Sequence, residues 1–148
     1  GLARALMVNR TIECVKLQGN RIKDKGMMEF AWMLRGNSRL TKIDLGKNFI
    51  QDSGGNSLAY ALRCNHVIEE LTLRENAIGS ESLGSIGKSL QNQQYLTHLD
   101  LAGIGIEPFV ASVFRDFIKT SPSLRFLDLS SNNLQDDCTI IIAVGLML

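Results

Sequence analysis

The feature that most constrains this chain is an exact internal period. The pattern L-x-x-L-x-L-x-x-N-x-L recurs with starts at residues 12, 40, 68, 96 and 124, a spacing of 28 without slippage. The copies read Ile12, Val15, Leu17, Asn20, Ile22; Leu40, Ile43, Leu45, Asn48, Ile50; Ile68, Leu71, Leu73, Asn76, Ile78; Leu96, Leu99, Leu101, Ile104, Ile106; and Leu124, Leu127, Leu129, Asn132, Leu134. The four apolar columns hold Leu, Ile or Val at all twenty places. A strict repeat of this length marks a stacked architecture, in which each unit hides its apolar stripe against its neighbours.

The second half of each unit has helical spacing. Phe30, Leu58, Ile86, Phe114 and Ile142 form one column, and Leu34, Leu62, Leu90, Ile118 and Leu146 form another four residues on. That interval puts one stripe inward. A small residue follows the first column at Ala31, Ala59, Gly87 and Ala143, with Arg115 as the departure. Asp24, Asp52, Ser80 and Asp136 precede the helices at one fixed offset, where their oxygens are expected to cap the first turn. Asn9, Asn37 and Asn65 follow them, where a left-handed residue is expected to end each helix. The units are therefore read as 12–39, 40–67, 68–95, 96–123 and 124–148, one solenoid domain. Residues 1–11 read as the helical half of a truncated unit, through Leu2 and Leu6. Gly1 opening in such a half-unit, and the apolar segment 139–148, lead to the expectation of a longer parent protein.

A 28-residue unit of short strand, turn and outer helix resembles the ribonuclease-inhibitor-like class of leucine-rich repeats. The segment Leu71-Thr72-Leu73-Arg74-Glu75-Asn76-Ala77-Ile78 carries the motif well, and the resemblance spans essentially the whole chain. It implies an α/β fold: a right-handed horseshoe arc, with a parallel β-sheet on the concave face and α-helices on the convex face. It implies a protein-binding scaffold in the cytoplasm. Relatives include regulators of a small GTPase, cytoskeletal or ciliary assembly components, and the ligand-sensing repeats of NOD-like receptors.

The fourth unit departs from the pattern. Ile104 replaces Asn, Gly103 and Gly105 flank it, and Pro108 replaces the capping residue. Either the turn is looser here, or a local bulge alters the curvature beside a binding site.

Side chains alternate along a strand, so the residues between the aliphatics face the concave surface. One such column is Cys14, Lys42, Glu70, His98, Phe126; the next is Lys16, Asp44, Thr72, Asp100, Asp128; the third is Gln18, Gly46, Arg74, Ala102, Ser130. The expected protein-binding residues are Lys16, Lys42, Asp44, Glu70, Arg74, His98, Asp100, Phe126 and Asp128, with Phe126 and Arg74 as energetic anchors by residue type. Asp100 and Asp128 fall on adjacent strands, either as a solvated face or as an acidic patch for a basic partner. Trp32 and Tyr60 share a helical column in consecutive units. They are either half-buried packing or an exposed convex-face anchor.

Other chemistry is absent from the pattern. Gly103-Ile104-Gly105 lacks the lysine of a phosphate loop, His66 falls in a return loop, and Cys14 and His98 belong to strands three apart. His98 with Asp100 and Asp128 offers a poor coordination shell on an open sheet, so no metal or cofactor is expected and the chain is read as non-catalytic. Three cysteines without metal-like spacing suit reduced thiols inside a cell. The formal net charge of +1 removes the basic footprint of a nucleic-acid binder, and no apolar run is long enough for a membrane span. Charge is unevenly spread. Residues 1–74 hold 12 Lys/Arg against 7 Asp/Glu, and residues 75–148 hold 4 against 8. Oppositely charged ends permit head-to-tail self-association.

Overall fold

The computed structural model describes residues 1–134. The expectations for Asp136, Cys138, Ile142, Ala143 and Leu146, and for the segment 139–148, lie outside the described residues. Helices and strands alternate along the chain as α1 (Leu2–Val8), β1 (Cys14–Lys16), α2 (Lys23–Gly36), β2 (Lys42–Asp44), α3 (Asp52–Cys64), β3 (Glu70–Thr72), α4 (Ser80–Leu90), β4 (His98–Asp100), α5 (Pro108–Thr120) and β5 (Phe126–Asp128). The strands form one parallel sheet in chain order. Every pairing joins residues 28 apart, such as Val15 with Ile43 and Leu99 with Leu127. The fold is thus an α/β arc of leucine-rich repeats, with strands on the concave side and helices on the convex side.

The aliphatic columns fill the space between the sheet and the helices, except at the first unit, where Ile12 is 41% exposed. Leu40, Leu45, Ile50, Leu73, Leu96 and Leu101 are fully buried, together with Phe30, Leu58, Ile86 and Phe114 from the helices. The small-residue column sets the spacing between helices. A methyl group on Gly87 would meet Val113 Cγ1 at 2.8 Å. Arg115, the departure, turns its guanidinium to Asp116 Oδ1 at 2.7 Å.

Two polar ladders tie the layers together. In the first, the carboxamide of Asn48 accepts from Asn20 N–H at 2.9 Å and donates to Leu17 O and Leu45 O. Asn76 repeats this one unit later, accepting from Asn48 N–H and Ile50 N–H. Asn132 serves Ile104 N–H and Ile106 N–H. The second ladder runs along the helix ends. Asn37 Nδ2 donates to Leu6 O, Asn65 Nδ2 to Leu34 O and Gln93 Nε2 to Leu62 O, at 2.7–2.8 Å. These are carbonyls that a helix C-terminus leaves without an internal partner.

Two expectations about the helix ends are corrected. Asn9, Asn37 and Asn65 are not left-handed; their φ values of −70°, −89° and −104° are extended. They end the helices by bonding side chain to backbone. Nor do Asp24, Asp52 and Ser80 cap their own helices. Asp24 Oδ1 accepts from Gln51 N–H at 2.7 Å, Asp52 Oδ1 accepts from Gly79 N–H at 3.0 Å, and the Ser80 hydroxyl donates to Glu107 Oε2. Each reaches the residue that opens the following unit's helix, so this column joins layers.

The fourth unit carries no bulge in its strand pairing, because β3, β4 and β5 keep the common register. Gly103 is not anomalous either. Its φ of +61° belongs to a left-handed column shared with Gly19, Lys47, Glu75 and Ser131. Ile104 is buried and fills the amide position with hydrocarbon. Pro108 stands in the first turn of α5, where its missing N–H costs nothing.

Candidate protein-binding face

The sheet places its outward side chains at the spacing of adjacent strands, about 4.8 Å. In the first column Lys42 Nζ lies 2.7 Å from Glu70 Oε1 across β2 and β3. That hydrogen bond, with the carboxylate charge behind it, holds the Lys42 ammonium above its ordinary pKa. On β4 and β5 the column turns aromatic: the His98 and Phe126 rings stack with centroids 5.5 Å apart. The Thr97 hydroxyl meets His98 Nδ1 at 2.9 Å. Cys14, His98 and Phe126 are all exposed.

In the second column the aspartates are partly used by the fold. Asp44, Asp100 and Asp128 each accept from the backbone N–H two residues ahead, at Gly46, Ala102 and Ser130, over 2.8–3.0 Å. Such local turns fix the carboxylates. The hydroxyl and the N–H of Ser130 hold Asp128 below the usual carboxylate range, helped by the charge of Arg74. Asp100 and Asp128 stand in register as neighbouring like charges. Arg74 offsets them, with Nη1 3.5 Å from Asp100 Oδ2. Lys16 is exposed at the opposite end of the column.

The third column is less open than alternation implies. Gly46 and Ala102 are buried, and Arg74 Cγ would lie 2.9 Å from a methyl group on Gly46. Arg74 therefore lies across the sheet between Asp100 and Glu75, and Glu75 in turn pairs with Lys47 at 3.3 Å. Its Nε is buried and, at 3.6 Å from Glu75 Oε1, makes no hydrogen bond. The nine expected residues thus share one face. Lys16, Lys42 and Asp44 occupy the β1–β2 end, and Asp100 and Asp128 with two aromatic rings occupy the β4–β5 end. A shallow hollow of about 230 Å³ lies among Lys16, Lys42, Asp44 and Glu70.

On the helix side Trp32 and Tyr60 are exposed, at 62% and 48% of their surface. This is the exposed arrangement rather than the packed one. The sequence reading missed Phe49, which is 59% exposed on the turn before α3 at a φ of +57°. Its column also holds Arg21 and Gly105, both left-handed. The glycine in that column was the available signal for a tight, outward turn. Among the described residues no three of His, Cys, Asp and Glu come together as a metal site, and no helix is long and apolar enough to cross a membrane.

A family model described as Leucine Rich repeat matches residues 8–31, 36–59 and 120–137. No curated protein matches the chain in sequence. Among solved structures, the chain is similar to actin-binding site 2 of leiomodin-1, with a TM-score of 0.80 and 17% identity over 98% of this chain and 85% of that one. It is also similar to the tropomodulin C-terminal domain of Caenorhabditis elegans, with a TM-score of 0.82 and 15% identity over 98% of this chain and 89% of that one. At these identities the likeness speaks for the fold.

Proposed function

We propose that this chain, a leucine-rich-repeat domain of the ribonuclease-inhibitor-like class, is a non-catalytic module that binds a protein partner through its concave strand face. The observation that carries the reading is the face itself. Charged and aromatic side chains stand on a sheet fixed by two polar ladders, outside the core. A preformed surface of this kind loses little conformational entropy on docking. Arg74 and Phe126 are the anchors: one spans the acidic end of the sheet, and the other is a half-exposed ring. An intracellular setting goes with this reading, because among the described residues Cys14 and Cys64 are exposed free thiols.

Actin is the first partner to test, since one of the similar structures is described as an actin-binding site. The test is co-sedimentation with filamentous actin and pull-down with monomeric actin. The variants are Lys16→Glu and Phe126→Ala, at opposite ends of the face and both exposed. Recovery of the wild-type chain with at least a tenfold loss in either variant supports the reading. Recovery unchanged in both variants moves the contact off this face. No recovery with either form of actin removes actin as the partner.

A further inference from the structure

The repeat supplies its own control for the convex face. Trp32 of α2 and Tyr60 of α3 occupy a column whose later members are Lys88 of α4 and Asp116 of α5. All four positions are exposed in the same framework. The helices therefore pack equally well with an ammonium or a carboxylate there, and the framework does not require aromatic rings. The same contrast holds one turn earlier. Met28 of α2 is 52% exposed, whereas the matching position of α4 is Gly84. Met28, Trp32 and Tyr60 thus sit together on α2 and α3, while the equivalent places on α4 and α5 carry Gly84, Lys88, Ser112 and Asp116.

This patch is also cationic. The Arg35 guanidinium lies 4.7 Å from the Tyr60 ring centroid and that of Arg63 lies 5.5 Å from it. Among the described residues neither arginine has a carboxylate within ion-pair distance. Both guanidiniums lie against the ring face and keep their N–H edges available to a carboxylate. Trp32 borders three hollows, of about 610, 360 and 330 Å³, each large enough to take a side chain; the largest also holds Arg4 and Glu29, whereas Arg35 lines the other two. The hollow of about 360 Å³ is floored by Ala31 and bounded by Met28 and Tyr60.

We propose that this patch is a second docking surface, and that its occupant is an acidic segment of a partner protein carrying apolar side chains. The apolar side chains enter the hollows beside Trp32, and the carboxylates pair with Arg35 and Arg63. Charge complementarity selects the occupant: the free charges beside Tyr60 are guanidiniums, which form bidentate pairs with carboxylates. The surface is independent of the concave face, so variants there leave it intact.

The chain's single tryptophan makes the test direct. A fluorescently labelled synthetic peptide with alternating Glu-rich and Leu-rich faces is titrated with the 148-residue chain, against a counterpart bearing Lys for every Glu. Anisotropy reports affinity, and Trp32 emission reports location. The expected result is binding of the acidic peptide with a blue shift of Trp32, and at least tenfold weaker binding of the basic one. Arg35→Glu/Arg63→Glu, with unchanged circular dichroism, should weaken the acidic peptide at least tenfold. Trp32→Lys/Tyr60→Lys, which copies Lys88, should abolish binding. Equal affinity for both peptides, or binding indifferent to the arginine reversal, overturns the proposal. So does tighter binding to phosphatidylserine vesicles than to the acidic peptide. Sedimentation of the chain as a dimer that Trp32→Lys dissociates would make the occupant a second copy, and also overturns it.

Discussion

Removing the amide of Asn48 isolates what a single rung of the first ladder contributes. Asn48 is fully buried, and its side chain makes five hydrogen bonds. The losses are unequal. Leu17 O also accepts from Asn20 Nδ2, Leu45 O from Asn76 Nδ2, and Gly46 O from Gly19 N–H, so all three carbonyls keep a partner in Asn48→Ala. The N–H groups of Asn20 and Ile22 do not: Asn48 Oδ1, at 2.9 and 3.4 Å, is their acceptor. Both bonds are part-buried and Asn20 is exposed, so water recovers part of the penalty and each loss is about 0.5–1.5 kcal/mol. Asn48→Ala should therefore lose about 1–3 kcal/mol. With a urea slope of about 2 kcal/mol/M, the unfolding midpoint falls by about 0.5–1.5 M. Circular dichroism in urea measures it, with the slope held between the two proteins. The same column offers the reverse experiment. Ile104→Asn supplies an acceptor at the position facing the Asn76 and Ile78 N–H groups, but gives up about 2 kcal/mol of apolar burial, so it should stay within about 1 kcal/mol of wild type. A midpoint shift below about 0.3 M for Asn48→Ala would refute the reasoning, because the two N–H groups would then not depend on that oxygen.

Glycine substitutions read the spacing between layers. A methyl group on Gly55 would meet Ile78 Cγ2 at 2.8 Å and Ser82 Cβ at 3.0 Å, so Gly55→Ala should cost about 1–3 kcal/mol by thermal or urea unfolding. Gly84 in α4 has nothing within 4 Å, and Gly84→Ala should instead stabilise by up to about 1 kcal/mol through helix propensity. Lys47 holds a φ of +54° in the left-handed column, so Lys47→Gly should gain about 1 kcal/mol despite losing an exposed ion pair to Glu75. Ser130→Ala should raise the Asp128 pKa toward its ordinary value, as read by carboxyl NMR titration. The folded pKa is depressed. The ionised Asp128 therefore favours the fold above the unfolded pKa, and that contribution is lost as pH falls through the folded one.

The fold was legible because its determinants are periodic. A spacing of 28 between apolar columns predicts in-register parallel strands, and each strand pair keeps that offset. The strand columns then follow from alternation, which brought the nine concave residues to one face. The expectations that fail share one cause: local rules describe caps and helix ends, whereas the side chains in question act between layers. Asp52 is the first helical residue of α3, one past the N-cap Gln51, and its carboxylate reaches Gly79 at the head of α4, 27 residues on. Asn37 sits where a left-handed terminator belongs, yet its amide reaches back to Leu6 O, 31 residues earlier. Stacking puts these distant groups closer than the next turn of the same helix. Gly103 is a related case: the comparison that explains it is not with Ile104 beside it but with Gly19, Lys47, Glu75 and Ser131 at the same phase.

That comparison by phase separates what the fold needs from what it leaves free. Columns that serve the core vary little: the aliphatic positions admit Leu, Ile and Val, and the small helical position admits Ala and Gly apart from Arg115. Exposed columns vary without limit of chemistry. One helical column runs Trp32, Tyr60, Lys88, Asp116, and one strand column runs Cys14, Lys42, Glu70, His98, Phe126. Since the backbone beneath is the same at every step, the differences along such a column cannot be demands of packing. The Asn20, Asn48, Asn76, Ile104, Asn132 column lies between these cases. Four of its members are fixed by ladder geometry, and the fifth replaces hydrogen bonds with buried hydrocarbon while keeping the strand register. The ladder therefore contributes stability but does not set the register. Register comes from the aliphatic columns, which is why Asn48→Ala should lower the unfolding midpoint and leave the concave side chains in their places.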